Sequence, residues 1–200
     1  YPKMYTVKAV DVFSGVVLNF DHSIKGDEIG GAIDMAASMP SNIIGIYDRF
    51  YFSKRLIRSH QANMSKFICR VKVKTTFAEL EKFGKQKSKV IDSYTFEGVK
   101  IYLVKVKRER GEDIIFTTNL EPEFWNNCPE EIYNLYALRW EIETNNREST
   151  SMMKLEQWRS KFHNGILQEI YAHLILLNLT KISIFLEGGI LMAEYIIIKS

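Results

Sequence analysis

Apolar and polar residues alternate in "YTVKAVDV" (residues 5–12) and in "GVVLNFDHSI" (residues 15–24), on either side of "FSG". A period of two is that of a half-buried strand, so the opening predicts two antiparallel strands joined by a short turn. In "GDEIGGAIDMAASM" the Ile and Met spacing changes to that of a helix, with Asp27 placed to cap it, although Gly30 and Gly31 weaken the pattern. "NIIGIYD" is a short apolar run closed by Asp48, the pattern of a buried strand with a carboxylate at its end. "SKRLIRSHQANM" reads as a helix with Ser53 as N-cap, and "KFICRVKVKT" as a strand. From Phe77 to Leu120 the chain shows β-rich alternation, glycine turns and many lysines, which predicts further strands with a basic outer face. From Pro129 the pattern turns helical, and "GILQEIYAHLILLNLTKI" is apolar nearly all round, which predicts a buried helix. This order predicts an α/β domain built on a mixed sheet.

Composition narrows the function classes. The chain has 200 residues, 46% of them apolar and 12% aromatic, enough for a packed core and too apolar for a disordered chain. Net charge is only +3, yet residues 53–110 hold 16 Lys and Arg against 5 Asp and Glu, while the remainder holds 11 against 19. A basic middle on a near-neutral whole suits an anionic partner such as nucleic acid, and equally a strand-rich region that uses Lys for solubility. Cys69 and Cys128 form no CxxC pair, and His22, His60, His163 and His173 show no ligand spacing, so neither a disulfide framework nor a zinc site is expected. The start shows no basic head followed by an apolar run, so no signal peptide is expected. Glu169, Lys181, Glu187 and Glu194 interrupt the apolar C-terminal stretch, so no membrane span is expected either.

"YALRWEIETNNREST" (residues 136–150) carries candidate chemistry. Tyr136, Arg139, Glu143, Arg147 and Thr150 share one helix face, and that face is polar. It reads either as solvated surface or as a site that holds an anion beside one carboxylate. Phosphoryl transfer with two metal ions needs clustered carboxylates, because hard cations such as Mg²⁺ take oxygen ligands. Asp48, held at a strand end, and Glu143, on a packed helix, suit such ligands. Arg139 and Tyr136 suit phosphate oxygens, and Arg147 suits either a phosphate or an i,i+4 pair with Glu143.

"IIGIYDRFYFSKRLIRSHQANMSKFICRVK" resembles the second-aspartate block of bacterial insertion-sequence transposases of the DDE type, in which a strand leads into Asp-Arg-Gly-Tyr-Phe, a helix and a strand ending in an Arg-Lys run. "YALRWEIETNNREST" is similar to their third block, Y-x₂-R-x₃-E-x₆-K, matched at Tyr136, Arg139 and Glu143. The opening "YTVKAVDVFSGVVLN" and the continuation "MMKLEQWRSKFHNGILQEIYAHLILLNL" are also similar, so the resemblance covers most of the chain.

The resemblance implies an RNase H-like mixed sheet flanked by helices, with a basic β-rich insertion at about residues 72–120 before the Glu-bearing helix. It implies cutting and joining of double-stranded DNA at transposon ends with Mg²⁺, or Mn²⁺ in its place, by a bacterial, cytoplasmic protein associated with the nucleoid and forming a homodimer on DNA. Asp48 becomes the second metal-binding acid and Glu143 the third. Tyr136, Arg139, Arg147 and Arg49 become contacts to DNA, joined by Lys105 and Lys107 of the basic segment. Phe50 stands where the family has Gly, and Thr150 stands where it has Lys. The first acid has no place here, because two strands rather than three precede the first helix; it is expected upstream of Tyr1, and Asp11 reads as structural. A chain with two of three acids is expected to be inactive by itself. Two alternatives stay open: a non-catalytic DNA-binding remnant of a transposase, and an RNase H-like nuclease that never joins strands.

Overall fold

A computed structural model describes residues 5–23, 26–72, 77–140, 143, 159–188 and 195–199. The opening hairpin is β1 (Tyr5–Asp11) and β2 (Val17–Ser23), antiparallel around a turn closed by Asp11, whose Oδ2 accepts from the backbone and hydroxyl of Ser14. Helix α1 (Glu28–Ala37) follows, capped by Asp27, whose side chain accepts from Gly30 N at 2.8 Å. A Cβ at Gly31 would come within 2.6 Å of Asp21 Oδ2, so glycine there lets the helix lie close on the hairpin.

Strand β3 (Ile44–Tyr47) is buried along its whole length and pairs in parallel with β4 (Lys66–Val71). Between them α2 (Lys54–Ala62) starts at Ser53, whose hydroxyl accepts from Leu56 N. The next strands are β5 (Ile91–Phe96), β6 (Val99–Val106) and β7 (Ile114–Thr118). They extend the same sheet from β4, all pairing antiparallel. After a 3-10 turn (Pro122–Trp125) comes α4 (Pro129–Ala137), then α5 (His163–Gly188) and β8 (Tyr195–Lys199). Among the described residues the sheet runs β2-β1-β8-β3-β4-β7-β6-β5. One core packs α1 and α2 on one face, around Tyr47, Leu56, Phe67 and Phe83; the other packs α4 and α5 on the opposite face, around Ile46, Ile68, Phe116 and Ile132.

Four features depart from the sequence-based expectation. The segment 72–120 is not all strand: residues 78–85 form helix α3 (Ala78–Lys85). There Leu80 and Phe83 share one buried face, and Lys85 pairs with Glu81 one turn away at 2.7 Å. The C-terminal β8 lies between β1 and β3, antiparallel to the first and parallel to the second.

Helix α5 is not buried among the described residues. Ile170 and Leu177 are buried, while Ile175, Leu176, Leu179 and Ile184 are each more than half exposed. Asn178 fixes its position on β2, donating to Val17 O and accepting from Val17 N, both at 2.8 Å. By length and composition alone α5 would suffice to span a membrane, which its interrupting charges did not suggest.

Lys105 also departs from expectation. It does not stand on an outer basic face but is 2% exposed. Its Nζ donates to Phe83 O at 3.0 Å and Gln86 O at 2.7 Å, satisfying carbonyls at the C-terminus of α3, and it lies 4.7 Å from the centre of the Phe83 ring. Burial pulls the ammonium pKa down. A side chain so enclosed cannot reach DNA, because both faces of β6 are covered where alternation had suggested one solvated face.

Candidate active site

Asp48 follows directly on β3. Its backbone is held from the neighbouring strand, since the buried Cys69 thiol donates to Asp48 O at 3.4 Å. Both Cys69 and Cys128 are free thiols, and burial pushes the Cys69 pKa well up. Glu143 lies 95 positions further on, in helical conformation after α4.

Arg139 joins the two acids. Its Nη1 donates to Glu143 Oε1 at 3.0 Å and lies 3.7 Å from Asp48 Oδ2. Two contacts to one nitrogen limit the separation of those carboxylate oxygens to about 6.7 Å. Both carboxylate side chains are about one-third exposed, whereas the Arg139 side chain is 8% exposed. Its guanidinium faces the rings of Trp140 at 5.0 Å and Tyr136 at 5.6 Å. Burial works against its charge, but Tyr136, Glu143 and Asp48 outweigh that and raise its pKa.

Tyr136 is buried against Phe116, with ring centres 4.9 Å apart. Burial pushes its phenol pKa up to about 12, with Arg139 opposing the shift and Asp48 adding to it. It is therefore a neutral donor lodged under the site rather than an exposed hand for DNA.

Strand register decides what else gathers around the acids. Tyr47 pairs with Cys69, and Arg70 with Phe116, so Asp48 lies level with the ends of β4 and β7 that carry Arg70 and Ile114. The loop 107–113 and the start of β5 lie at this same end, because Val106 pairs with Ile114 and Ile91 with Val104. The carboxylate end of the sheet therefore also carries exposed Arg49, Lys72, Lys87, Lys89, Lys107, Arg108 and Arg110, tempered by Glu109, Glu112 and Asp113. Lys107 Nζ donates to Lys87 O, and Lys89 pairs with Asp92 at 2.8 Å.

Arg70, whose charge reaches Tyr136, was not singled out from the sequence. Its signal was the Arg-Lys run that closes β4. Two large aromatic side chains beside the acids are exposed, Trp140 at 59% and Phe50 at 57%, and Phe50 N donates to Asp48 Oδ1 at 3.4 Å. Arg147 and Thr150 lie outside the described residues.

Asp11 is not part of this group. It pairs with Ile196, which pairs with Gly45, so it lies three residues short of Asp48 along the strands. Among the described residues no group of three or more His, Cys, Asp or Glu is arranged to hold a metal ion. The donor chemistry at Asp48 and Glu143 nonetheless fits a hard divalent cation: two carboxylates converge from separate elements on one positive nitrogen, and both are open to solvent.

A strand-end carboxylate and a helix carboxylate thus stand together at the basic end of a mixed α/β sheet. The family model described as the transposase DDE domain matches residues 3–179, and the chain belongs to that family, whose members are DNA-transposition enzymes. No curated protein matches the chain.

Proposed function

We propose that residues 1–200 form the catalytic domain of an insertion-sequence transposase with an RNase H-like sheet, the β-rich segment at about 72–120 being its insertion. In this reading Asp48 and Glu143 hold Mg²⁺ or Mn²⁺ while the domain cuts and joins DNA at the element's ends, as a dimer on bacterial DNA. The observation that carries it is the convergence of Asp48 and Glu143, 95 positions apart in the sequence, on a single Arg139 nitrogen. The cation supplies charge neutralisation and polarises the phosphodiester. The protein's own part is to fix the two acids, Asp48 at the end of β3 and Glu143 through its bond to the buried Arg139. Arg70, Lys72, Lys107 and Arg49 hold the DNA backbone by charge. Neutral Tyr136 supports Arg139 from below.

Binding should rest mainly on phosphate contacts and fall steeply as salt rises. Exchanging Lys72 and Lys107 for Glu should weaken binding to all duplex sequences alike and flatten the salt slope, by about 0.9 for every phosphate no longer neutralised. Fluorescence anisotropy over a salt series measures both; affinity independent of salt would contradict the reading. Lys105 is unsuitable for this test, because its substitution would disturb the fold.

The purified chain should bind DNA without cutting it. Asp48 and Glu143 supply two carboxylates, whereas Mg²⁺ gives up its water reluctantly. The strand flanking β3 on its other side, β8, has the sequence Tyr-Ile-Ile-Ile-Lys and brings no acid. Cleavage with Mn²⁺ that disappears in Glu143→Ala would show two acids to be sufficient. Cleavage that survives Glu143→Ala would remove Glu143 from the mechanism.

A further inference from the structure

The position of Arg139 raises a question that its phosphate-contact role does not answer. A guanidinium placed for phosphate should point its donors outward. Here Nη1 is turned between the two carboxylates, and Nε is buried with no hydrogen-bond partner. An orphaned charged donor is costly, so a strong attraction must hold the side chain in this pose. The two carboxylates supply it, and the Trp140 and Tyr136 rings shield the guanidinium from water.

We propose that Arg139 is a built-in counter-ion that occupies the place of the divalent cation and is exchanged for it. This rests on the reading of Asp48 and Glu143 as the cation site. The guanidinium offsets one of their two negative charges. A cation that takes oxygens from both must remove Nη1 from between them, since its own double positive charge repels the guanidinium. Arg139 then leaves with all its N–H donors free, Nε among them, and the nearest anion able to use them is a DNA phosphate. Cation loading and DNA grip become linked: phosphate stabilises the released arginine, so DNA tightens cation binding, and by reciprocity the cation tightens DNA binding by the same factor. Without DNA the arginine competes with the metal and keeps its affinity low.

The test is Mn²⁺ binding to the purified chain without DNA, read from the electron paramagnetic resonance signal of free Mn²⁺. Wild type should bind weakly. Arg139→Gln should bind about tenfold more tightly, worth about 1.4 kcal/mol, and Arg139→Lys, which keeps the positive charge, should stay near wild type. A merely structural role would move affinity the other way, because damage to the site weakens binding. Asp48→Asn in the Arg139→Gln background should abolish the gain.

Equal or weaker binding by Arg139→Gln would overturn the exchange. If Asp48→Asn still lowered Mn²⁺ affinity in that case, the acid pair would stand as the cation site and the exchange alone would fail. If Asp48→Asn changed nothing in either background, both would fail. A second measurement needs no variant of Arg139: Ca²⁺ should change the fluorescence of Trp140 as the guanidinium leaves its face. The change should be absent in Trp140→Phe, and an unchanged wild-type spectrum at saturating Ca²⁺ would also overturn the exchange.

Discussion

Acidification from pH 7.5 to pH 5 should lower the melting temperature by roughly 4–8 °C through one residue, His60, at about 2–4 °C per kcal/mol for a chain of this size. His60 is fully buried, and its environment fixes its protonation. Ser65 gives its hydroxyl proton to Asn63 Oδ1 at 2.6 Å, so its oxygen is free to accept from His60 Nδ1, also at 2.6 Å. Nε2 then accepts from the Tyr47 hydroxyl at 2.8 Å. Asn63 completes the chain by donating to Ala36 O and Met39 O at the end of α1. The network thus ties β3, α1 and α2 together around a neutral imidazole.

Burial lowers the His60 pKa to about 3. Once unfolded, the same ring titrates near 6.5. Because the folded value is the lower one, the unfolded chain takes up a proton first. The stabilisation is complete above about pH 6.5 and is lost progressively as pH falls towards 3. The full span is on the order of 5 kcal/mol, of which about 2 kcal/mol is gone at pH 5. Melting curves of wild type and His60→Asn across this range check the assignment: the variant starts lower and shows a flatter slope. Parallel curves would mean that His60 does not titrate as argued.

Replacing Lys105 with Met should cost about 2–4 kcal/mol, because two carbonyls at the end of α3 lose a charged donor while the hydrocarbon volume is kept. Chemical denaturation measures the loss. Lys107→Met, on the same strand's exposed extension, should change stability by less than about 0.5 kcal/mol. A Lys105→Met protein as stable as wild type would show that the ammonium is dispensable and its burial incidental.

These two residues mark the boundary of what could be read from the chain. The caps at Asp27 and Ser53, and Asp48 at the end of an apolar run, were legible because each depends on neighbours a few residues away. Lys105 was misread because a strand pattern says which residues alternate, not whether a helix from the same segment covers the second face. That helix, α3, hid in a lysine-rich window whose Glu81–Lys85 pair and Leu80–Phe83 spacing are only eight residues long. Strand β8 was beyond reach for a different reason: its pairing with β3 joins residues some 150 positions apart, and its side-chain pattern does not name its partners. The composition of α5 correctly gave an apolar helix, but composition does not say what covers it. At the site, the sequence offered Arg147 as an i,i+4 partner of Glu143; Arg147 lies outside the described residues, and the structure shows Glu143 paired with Arg139, four positions before it. The spacing allowed either, and Asp48 adds a second carboxylate contact on the Arg139 side.

The central claim, that Asp48 and Glu143 together hold a divalent cation at bound DNA, is tested most directly by placing Fe²⁺ there. With ascorbate and oxygen, Fe²⁺ releases hydroxyl radicals that cut whatever lies within a few ångströms. Mass spectrometry of the DNA-bound chain should find backbone breaks clustered at residues 47–50 and 139–143 and nowhere else in strength. The DNA should be cut at a matching position, and both cuts should disappear in Asp48→Asn. Breaks centred on other residues, or an unchanged pattern in Asp48→Asn, would contradict the account.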